Sequence, residues 1–165
     1  GFCDAFEIPI LTLTNVNGFK ATKCQEKKGA KATPKLIYAF ANATVPKVNL
    51  IVEDAIGSAY IAMNSKATGA DVVYAWPTAK VGMMDAASAV KIMYADEIES
   101  GDATEVIAEK TAEYQNLQGS VMSAAARGYV DSIVEPVDTR KYIIGAFEML
   151  YTKFEDRPGK KHGTV

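Results

Sequence analysis

The segment Gly57-Ser58-Ala59 has the residue types best suited to chemistry in this sequence. Its small residues follow an apolar strand pattern and precede a short apolar helix pattern, so they stand at a predicted strand-to-helix junction. The first N–H groups of a helix have no partner inside the helix and attract negative charge. Two such groups can form an oxyanion hole. Small residues at such a junction also serve close packing, and the pattern alone does not separate the two interpretations.

Side chains that could act as nucleophiles, bases or metal ligands are scarce. The only histidine is His162, and neither Cys3 nor Cys24 has a candidate base beside it in the sequence. A Cys–His or Ser–His pair and a histidine-ligated metal site are therefore disfavoured, and we predict no metal. Glu53 and Asp54 lie close to the junction, but a solvated loop is the better interpretation of them. An enzyme with this sequence would work through backbone dipoles and a cofactor carried by a partner.

Length and composition indicate one globular domain. The chain has 165 residues, of which 48% are apolar and 23% charged, with a net charge of −2. This balance argues against a nucleic-acid binder, which usually has a basic face. The first apolar stretch, residues 8–13, is far shorter than the ~20 residues of a membrane-spanning helix. Two cysteines provide no disulfide framework and fit a reducing, cytoplasmic setting.

The two ends of the chain differ in character. Phe2, Cys3 and Phe6 are typical of the end of a helix, without capping residues in front of them, which predicts a boundary inside a longer polypeptide. The C-terminal end carries a basic cluster, for which a solvated terminus is favoured over a phosphate site. The cluster consists of Lys153, Arg157, Lys160, Lys161 and His162.

The first half of the chain predicts strands that alternate with helices. Residues 8–14 are rich in β-branched side chains and predict a buried strand, which a turn at 15–18 ends. Residues 20–31 predict a loop or a weak helix, and Pro34 predicts a helix start because proline suits the first helical turn. Further strands are predicted at 47–52, 71–76 and 80–83, with a short helix from Gly57 to Met63 that Gly69 closes.

The second half predicts mostly helices. Residues 86–95 and 104–117 have helical spacing of apolar side chains, and residues 129–134 form a short strand-like run. Asp138 or Thr139 is the predicted cap of a final amphipathic helix. Its inward side chains are predicted to be Ile143, Ile144, Phe147, Leu150, Tyr151 and Phe154. Strands alternating with helices imply an α/β domain.

Several sequence blocks, in order over essentially the whole chain, carry a resemblance to a known family. The chain resembles the crotonase superfamily and, more closely, the carboxyltransferase subunits of propionyl-CoA carboxylase and of the methylmalonyl-CoA and glutaconyl-CoA decarboxylases. The Tyr-Ala-Trp-Pro and Arg-Gly-Tyr-Val-Asp blocks are the most specific. The blocks are Phe2-Cys3-Asp4-Ala5-Phe6, Ile8-Pro9-Ile10, residues 43–48, Tyr74-Ala75-Trp76-Pro77-Thr78-Ala79, Ala126-Arg127-Gly128-Tyr129-Val130-Asp131, Thr139-Arg140 and Lys160-Lys161-His162-Gly163.

This resemblance implies an α/β fold of the ClpP/crotonase type, a superhelix of ββα units. It implies that residues 1–165 form the C-terminal, biotin-side domain of a carboxyltransferase subunit, whose N-terminal CoA-binding domain is missing from this chain. The implied partners are that acyl-CoA-binding domain, a biotin carboxyl carrier domain and acyl-CoA. Subunits of the family form hexamers, with each active site between the N domain of one subunit and the C domain of another.

The resemblance also assigns roles to residues. The backbone N–H groups of Ser58 and Ala59, beside Gly57, would form an oxyanion hole for the ureido oxygen of biotin or carboxybiotin during carboxyl transfer. The loop Gly18-Phe19-Lys20 would supply a further donor. The implied biotin-binding residues are Gly18, Phe19, Lys20, Gly57 and Ile61. No side-chain base is required, because biotin itself can accept the substrate's α-proton.

Three departures from the family pattern stand out. The family has a second glycine where this chain has Ser58, and the propionyl enzymes have aspartate where this chain has Ile61, so propionyl-CoA specificity does not carry over. The family's loop and helix next to the biotin pocket are replaced here at residues 17–22 and 29–34. A non-catalytic scaffold derived from a carboxyltransferase domain therefore remains an alternative, and saturable biotin binding would separate it from a catalytic domain.

Other interpretations are weaker. An ordinary enoyl-CoA hydratase would need a glutamate pair beside the oxyanion hole, and the helix after the 80–83 strand offers only Asp85. Tyr74 and Trp76 alternate on a strand, and a core position is favoured over a stacking surface. Arg127 could contact a phosphate, although a structural hydrogen bond to a loop carbonyl is favoured.

Overall fold

The computed structural model describes residues 1–100 and 102–157, which form a five-stranded parallel sheet with helices on both faces. The strands are β1 (Ile10–Asn17), β2 (Lys47–Ile56), β3 (Val72–Ala75), β4 (Lys80–Gly82) and β5 (Ser132–Ile133). The helices are α1 (Phe2–Ala5), α2 (Lys23–Asn42), α3 (Gly57–Ala62), α4 (Ala86–Met93), α5 (Ala95–Ser100), α6 (Ala103–Leu117), α7 (Val121–Ala126) and α8 (Thr139–Met149). The predicted α/β class is confirmed.

Strand β2 organises the sheet. Along one side it pairs with β1, and along the other it pairs first with β3 and then with β4. Strand β5 extends the sheet beyond β3. Because all these pairings are parallel, the carboxyl ends of β1, β2 and β4 meet at one edge. Asn17 aligns with Ile56, and Ile56 with Gly82.

The two faces of the sheet carry separate apolar cores, because successive side chains of a strand point to opposite faces. Val48 and Leu50 of β2 face a cluster that is covered by α8 through Ala146. Ile51 and Ala55 face the other cluster, to which α3 and α7 contribute. The short helix α3 is therefore anchored by packing on the sheet, directly after the strand that leads into it.

The prediction of a buried first strand is wrong in an instructive way. The leucines of β1 point outward: Leu11 is 41% and Leu13 61% exposed, whereas Ile10 and Val16 are half-buried. The middle of the inward face is formed by threonines: the hydroxyls of Thr12 and Thr14 donate to Oδ1 of the fully buried Asn49 at 3.0 and 2.7 Å. An edge strand pairs on one side only, and here its buried face is satisfied by hydrogen bonds instead of apolar contacts.

Helix α2 replaces the predicted loop and the helix start at Pro34. It begins after Thr22, whose hydroxyl accepts the N–H of Gln25 at 3.3 Å, and it continues through Pro34. Proline lacks the N–H that would bond the carbonyl one turn earlier, but a long helix tolerates one such loss. In the described part of the chain, no helix combines the length and apolarity that a bilayer crossing requires.

The second half departs from prediction mainly at element ends. The predicted 86–95 helix is α4 followed by the unpredicted α5, and α7 was not predicted either. The strand-like run 129–134 is reduced to β5. In α8, Ile143, Phe147 and Leu150 pack on the core as expected. The expectation for three others is wrong, since Ile144, Tyr151 and Phe154 are exposed.

The predicted core position of Tyr74 is confirmed, and Trp76 packs against the same cluster. The indole N–H of Trp76 donates to the hydroxyl of Thr139 at 2.9 Å. Neither Asp138 nor Thr139 caps α8 through its side chain, because the Thr139 hydroxyl instead donates to the carbonyl of Glu135. This tryptophan therefore joins β3 to the start of α8.

A buried lysine network ties the C-terminal segment to the start of β2. Lys47 is 1% exposed, and its Nζ donates to the carbonyl of Phe40 at 2.7 Å. The carboxylate of Asp71 accepts the backbone N–H of Lys47 at 2.8 Å and the Nζ of Lys153 at 2.9 Å. Glu155 forms a second ion pair with Lys153 at 2.8 Å. We call this set the Asp71 network.

The expectation of a solvated basic tail is therefore wrong for Lys153, whereas Arg157 is exposed but held by hydrogen bonds. The side chain of Lys153 is only 10% exposed, and Arg157 pairs with Glu155 and donates to the carbonyl of Ala41 at 2.7 Å. Burial lowers the pKa of Lys47, an effect reinforced by the nearby charge of Lys153. Residues 160–162, which complete the predicted cluster, lie outside the described residues.

The Asp71 network predicts a pH dependence of stability. The hydrogen bond from Lys153, followed by that from Arg157, lowers the pKa of Glu155 below its usual value. A carboxylate with a lowered folded pKa stabilises the fold above its unfolded pKa of about 4.3, and this contribution is lost as pH falls through the folded pKa. We expect Glu155→Gln to be less stable than the wild type at pH 7, with a gap that closes under acid. Urea unfolding of both proteins from pH 7 to pH 3 tests this, and a gap independent of pH would contradict it.

Candidate functional site

Three glycines gather where the carboxyl ends of β1, β2 and β4 meet. Gly18 directly follows β1 and Gly57 directly follows β2, while Gly82 ends β4 beside Ile56. Gly18 and Gly57 both have left-handed backbones, with φ of 79° and 73°. Ligands of parallel sheets commonly bind outside the carboxyl ends of the strands. The structure thus places two of the predicted site residues, Gly18 and Gly57, at one edge.

The conformation of Gly57 explains why this junction needs glycine. A residue with a side chain would be strained here, because the backbone is left-handed. Its Cβ would lie 3.4 Å from the carbonyl oxygen of Met83. We expect Gly57→Ala to lower the unfolding free energy by about 1–2 kcal/mol, which urea denaturation would measure. The matched control is Gly145→Ala in α8, where no atom lies within 4 Å of the added Cβ. That control should stabilise the protein by about 0.5–1 kcal/mol, and an equal loss in both variants would contradict the interpretation.

The predicted donors Ser58 and Ala59 lie in the first turn of α3. Ser58 is exposed and Ala59 is buried against the sheet. The residue before the helix, Ile56, provides no side-chain cap. Among the described residues, no side chain or loop carbonyl accepts the N–H group of Ser58 or Ala59. The first turn therefore retains donors that a ligand oxygen could use.

A cavity of about 220 Å³ opens beside α3. Gly57 and Ile61 line it, as does Tyr60 between them, whereas Ser58 and Ala59 are not among its lining residues. Its other walls come from the end of β4, from α6, and from α7 with the turn that follows it. Those walls are Val81, Gly82, Met83, Tyr114, Gln118, Ala124, Arg127 and Tyr129.

Phe19 and Lys20 line a different groove. It runs along α2, where Gln25 and Pro34 form part of its wall. The structure therefore brings Gly18 to the edge that holds Gly57, but it does not bring Phe19 and Lys20 into the cavity that Ile61 lines.

The acidic residues near the junction have structural partners. Glu53 and Asp54 belong to β2, so the loop predicted for them is wrong. Glu53 accepts the side-chain N–H of Asn15 at 2.9 Å. Asp85 is the N-cap of α4, and its hydrogen bond from Ser88 lowers the pKa of its carboxyl. The carboxylates of Glu53 and Asp85 hold elements in place. Among the described residues, no group of three or more His, Cys, Asp or Glu side chains is placed to bind a metal.

Sequence reasoning missed the polar end of the cavity. The hydroxyl of Tyr60 is buried and has no hydrogen-bond partner in the described part of the chain, and burial, with a smaller contribution from Tyr129, raises the pKa of Tyr60 to about 12. The structural hydrogen bond favoured for Arg127 is not found among the described residues, where this arginine is exposed to solvent. Tyr114 and Gln118 come from a distant helix, so only the tertiary fold could reveal them as cavity residues.

Comparison with known proteins places this chain among carboxyltransferases. A model of the carboxyl transferase domain matches residues 1–165. A putative propionyl-CoA carboxylase beta chain from Bacillus subtilis is 49% identical over 99% of this chain and 33% of its own length. Methylmalonyl-CoA decarboxylase subunit alpha from Propionigenium modestum is 45% identical over 99% of this chain and 32% of its own length.

A solved structure agrees with these relatives. The crystal structure of transcarboxylase 12S, a hexamer with methylmalonyl-coenzyme A and methylmalonic acid bound, matches with a TM-score of 0.93 at 43% identity. The match covers 99% of this chain and 32% of that one, so the chain spans about a third of the length of its relatives. The crotonase-like fold and the family resemblance predicted from the sequence are both confirmed. The chain belongs to the carboxyl transferase domain family.

Proposed function

We propose that this chain is the biotin-side domain of a biotin-dependent acyl-CoA carboxyltransferase, a component of a carboxylase or a decarboxylase. The observation that carries the proposal is family membership over all 165 residues. The N-terminal domain that binds acyl-CoA and a biotin carboxyl carrier domain complete the enzyme in this proposal. The free Cys3 and Cys24 fit the cytoplasm, where thiols stay reduced.

The residues at the sheet edge that holds Gly18, Gly57 and Gly82 fit biotin. The ureido group of biotin has an oxygen that accepts hydrogen bonds, and the first turn of α3 offers unused N–H groups at Ser58 and Ala59. The cavity beside them has apolar walls at Ile61 and Val81, which suit the fused hydrocarbon part of a cofactor. When bound, biotin would carry the carboxyl group.

In this proposal the chain's own groups act through charge stabilisation and positioning. The N–H groups of Ser58 and Ala59 stabilise negative charge on an oxygen held against the start of α3, as donors of an oxyanion hole do. Gly57 and Gly18 leave the backbone open to approach, because neither has a side chain over the edge. Phe19 and Lys20 line the groove along α2, where they would contact the carrier domain.

Biotin binding and turnover test this function. We expect saturable binding of biotin or of a biotinylated carrier domain to this chain, measured by calorimetry or NMR titration. We expect carboxyl transfer only when the N-terminal domain is added, because half an interface cannot orient two reactants. Robust transfer by the 165-residue chain alone would refute the assignment of roles.

A second candidate is a non-catalytic scaffold derived from the same domain. Two observations favour it: Ser58 replaces a glycine of the family pattern, and Phe19 and Lys20 face a groove apart from the cavity. A scaffold should bind partner domains without binding biotin. The biotin titration therefore separates it from the catalytic proposal.

Exposed apolar side chains predict association with partner domains or further copies. Phe2 and Phe6 of the N-terminal region contact each other with ring centroids 4.8 Å apart, yet they are 70% and 65% exposed. Leu11 and Leu13 are exposed on the edge strand β1. We expect the chain to self-associate in sedimentation or to bind a dye for apolar surfaces. A monodisperse monomer that binds no such dye would contradict this expectation.

A further inference from the structure

The chain just beyond α3 carries a buried polar side chain to which the function proposed above gives no role. Asn64 lies one residue after Met63, the C-cap of the helix, and it is fully buried although its side chain is polar. Its backbone is left-handed, with φ of 53°, a conformation that asparagine adopts more readily than most residues. The chain therefore turns at Asn64, and the side-chain amide of this residue is enclosed in the protein.

The Asn64 amide joins the end of the helix to β1 and β2. Its Nδ2 donates to the hydroxyl of Thr12 at 3.2 Å and makes a longer contact of 3.5 Å with the carbonyl of Val48. The Thr12 hydroxyl in turn donates to Oδ1 of Asn49, which also accepts the hydroxyl of Thr14. We call Thr12, Thr14, Asn49 and Asn64 the Asn64 network.

The Asn64 network costs stability, yet it fixes geometry. In the described part of the chain, Nδ2 of Asn49 and Oδ1 of Asn64 have no hydrogen-bond partner, although both residues are 0% exposed. Buried polar atoms without partners lower stability, and apolar side chains of similar size would avoid that loss. Hydrogen bonds, however, fix distance and direction, which apolar contacts do not. A network of this kind is therefore suited to hold the elements it joins in one arrangement.

The element that the Asn64 network holds is α3. The helix continues directly from β2 through Gly57, and the packing of Tyr60 keeps its middle on the core. Its far end is tied to the sheet through the amide of Asn64. A shift of that end would tilt the whole helix, because α3 has only six residues. The direction of the N–H groups of Ser58 and Ala59 therefore depends on the Asn64 network.

We propose that Asn64, with Thr12 as its partner, is a positioning residue for carboxyl transfer, because it fixes the direction of α3 and of the donors at Ser58 and Ala59. This inference rests on the proposed carboxyltransferase function. Asn64 acts through the helix and touches no substrate. A misplacement of about 1 Å, caused by a change far from the chemistry, can cost on the order of 100-fold in rate. A hydrogen bond outside the site can therefore control kcat.

Kinetics of the complete enzyme that carries this chain test the role. Asn64→Gly suits the left-handed backbone and removes the amide, so we expect kcat to fall about 10- to 100-fold. The KM for acyl-CoA should stay unchanged, because the lost interaction acts on the transition state. Thr12→Val removes the accepting hydroxyl and should have a similar effect. Thr12→Ser keeps that hydroxyl and should retain most of the wild-type rate.

A double-mutant cycle with Ser58→Pro separates positioning from a general loss of packing. If Asn64 acts through the donors of α3, Asn64→Gly should reduce kcat clearly less in the Ser58→Pro enzyme than in the wild type. Ala108→Gly, at an exposed position inside α6, is the control for stability alone. It should lower the thermal midpoint, because glycine is a poor helix former, and leave kcat unchanged.

Hydrogen exchange, followed by mass spectrometry on the same enzymes, reports on the helix independently of turnover. Peptides that contain residues 57–62 should exchange faster in Asn64→Gly and in Thr12→Val, because the far end of α3 is released. The same peptides should exchange at the wild-type rate in Thr12→Ser.

The outcomes distinguish the inference from the function on which it rests. If the wild type transfers carboxyl groups but Asn64→Gly keeps its kcat, or loses as much in the Ser58→Pro enzyme as in the wild type, the positioning role is refuted and the carboxyltransferase function stands. Unchanged exchange of residues 57–62 in Asn64→Gly refutes the positioning role whatever the rate. A complete wild-type enzyme that transfers no carboxyl group refutes both.

Discussion

Replacing Ser58 by proline is expected to slow carboxyl transfer in the complete enzyme by about two to three orders of magnitude. Proline deletes the backbone N–H at this position, and removal of one oxyanion-hole donor typically costs about 2.7–4 kcal/mol of transition-state stabilisation. Ser58 is exposed and lies in the first turn of α3, where proline is well tolerated. The measurement is kcat for carboxyl transfer, with circular dichroism and thermal unfolding to verify the fold.

The matched control is Ser58→Gly, which keeps the N–H and removes only the side chain. It should preserve or increase the rate, because glycine widens the approach to the backbone. A well-folded Ser58→Pro enzyme with undiminished carboxyl transfer would show that this amide is structural. The oxyanion site would then have to lie at another loop.

Replacing Asp71 by alanine is expected to lower the unfolding free energy by about 3–5 kcal/mol, because it removes one partner of a largely buried ion pair. The side chains of Asp71 and Lys153 are 18% and 10% exposed, and the same carboxylate accepts the N–H of Lys47. The variant leaves the ammonium of Lys153 with less compensation and an N–H without its acceptor. Urea unfolding at pH 7 measures the loss.

Two comparisons make this result specific. Glu113→Ala removes the exposed partner of Lys110 on α6 and should leave the unfolding midpoint unchanged. Lys153→Met in the Asp71→Ala background should recover part of the stability, because it removes the charge that lost its partner. A loss below about 1 kcal/mol for Asp71→Ala would mean that water replaces the carboxylate effectively.

The sequence predicted the central strands well because each has a local pattern that the tertiary structure reinforces. Strands β3 and β4 are short runs near proline or glycine, and β2 begins after Pro46, although it continues four residues beyond its predicted end, up to the glycine junction at the start of α3. The same local reasoning failed at β1, where Leu11 and Leu13 face outward. Which face of an edge strand is buried depends on its partner, and Asn49 is a buried partner that the β1 sequence cannot reveal.

Helix α2 shows a second limit of local reasoning. Proline disfavours helix continuation, so Pro34 predicted a start instead of an interior position. The structure accommodates it because Thr22 caps the helix more than two turns earlier. Propensity is a weak prior that a long helix with tertiary contacts overrides.

The candidate site was predictable only where its residues lie close together in the sequence. Gly57 and Ile61, which the family resemblance names as biotin-binding residues, lie in one segment, and both line the cavity. Arg127 and Tyr129 approach that cavity from more than sixty residues away, across a turn set by Gly128. Their position at the cavity depends on how α7 packs on the sheet, which no sequence pattern encodes directly.

The burial of Lys47 also gives the protein an internal reporter of unfolding. Reagents that acylate amines modify exposed lysines such as Lys91 directly, but the Nζ of Lys47 is enclosed and bonded to the carbonyl of Phe40. Acylation of Lys47 therefore requires the start of the central strand to open. Its labelling rate, followed by mass spectrometry, therefore measures how often this part of the core opens. The rate should rise sharply in variants that break the Asp71 network.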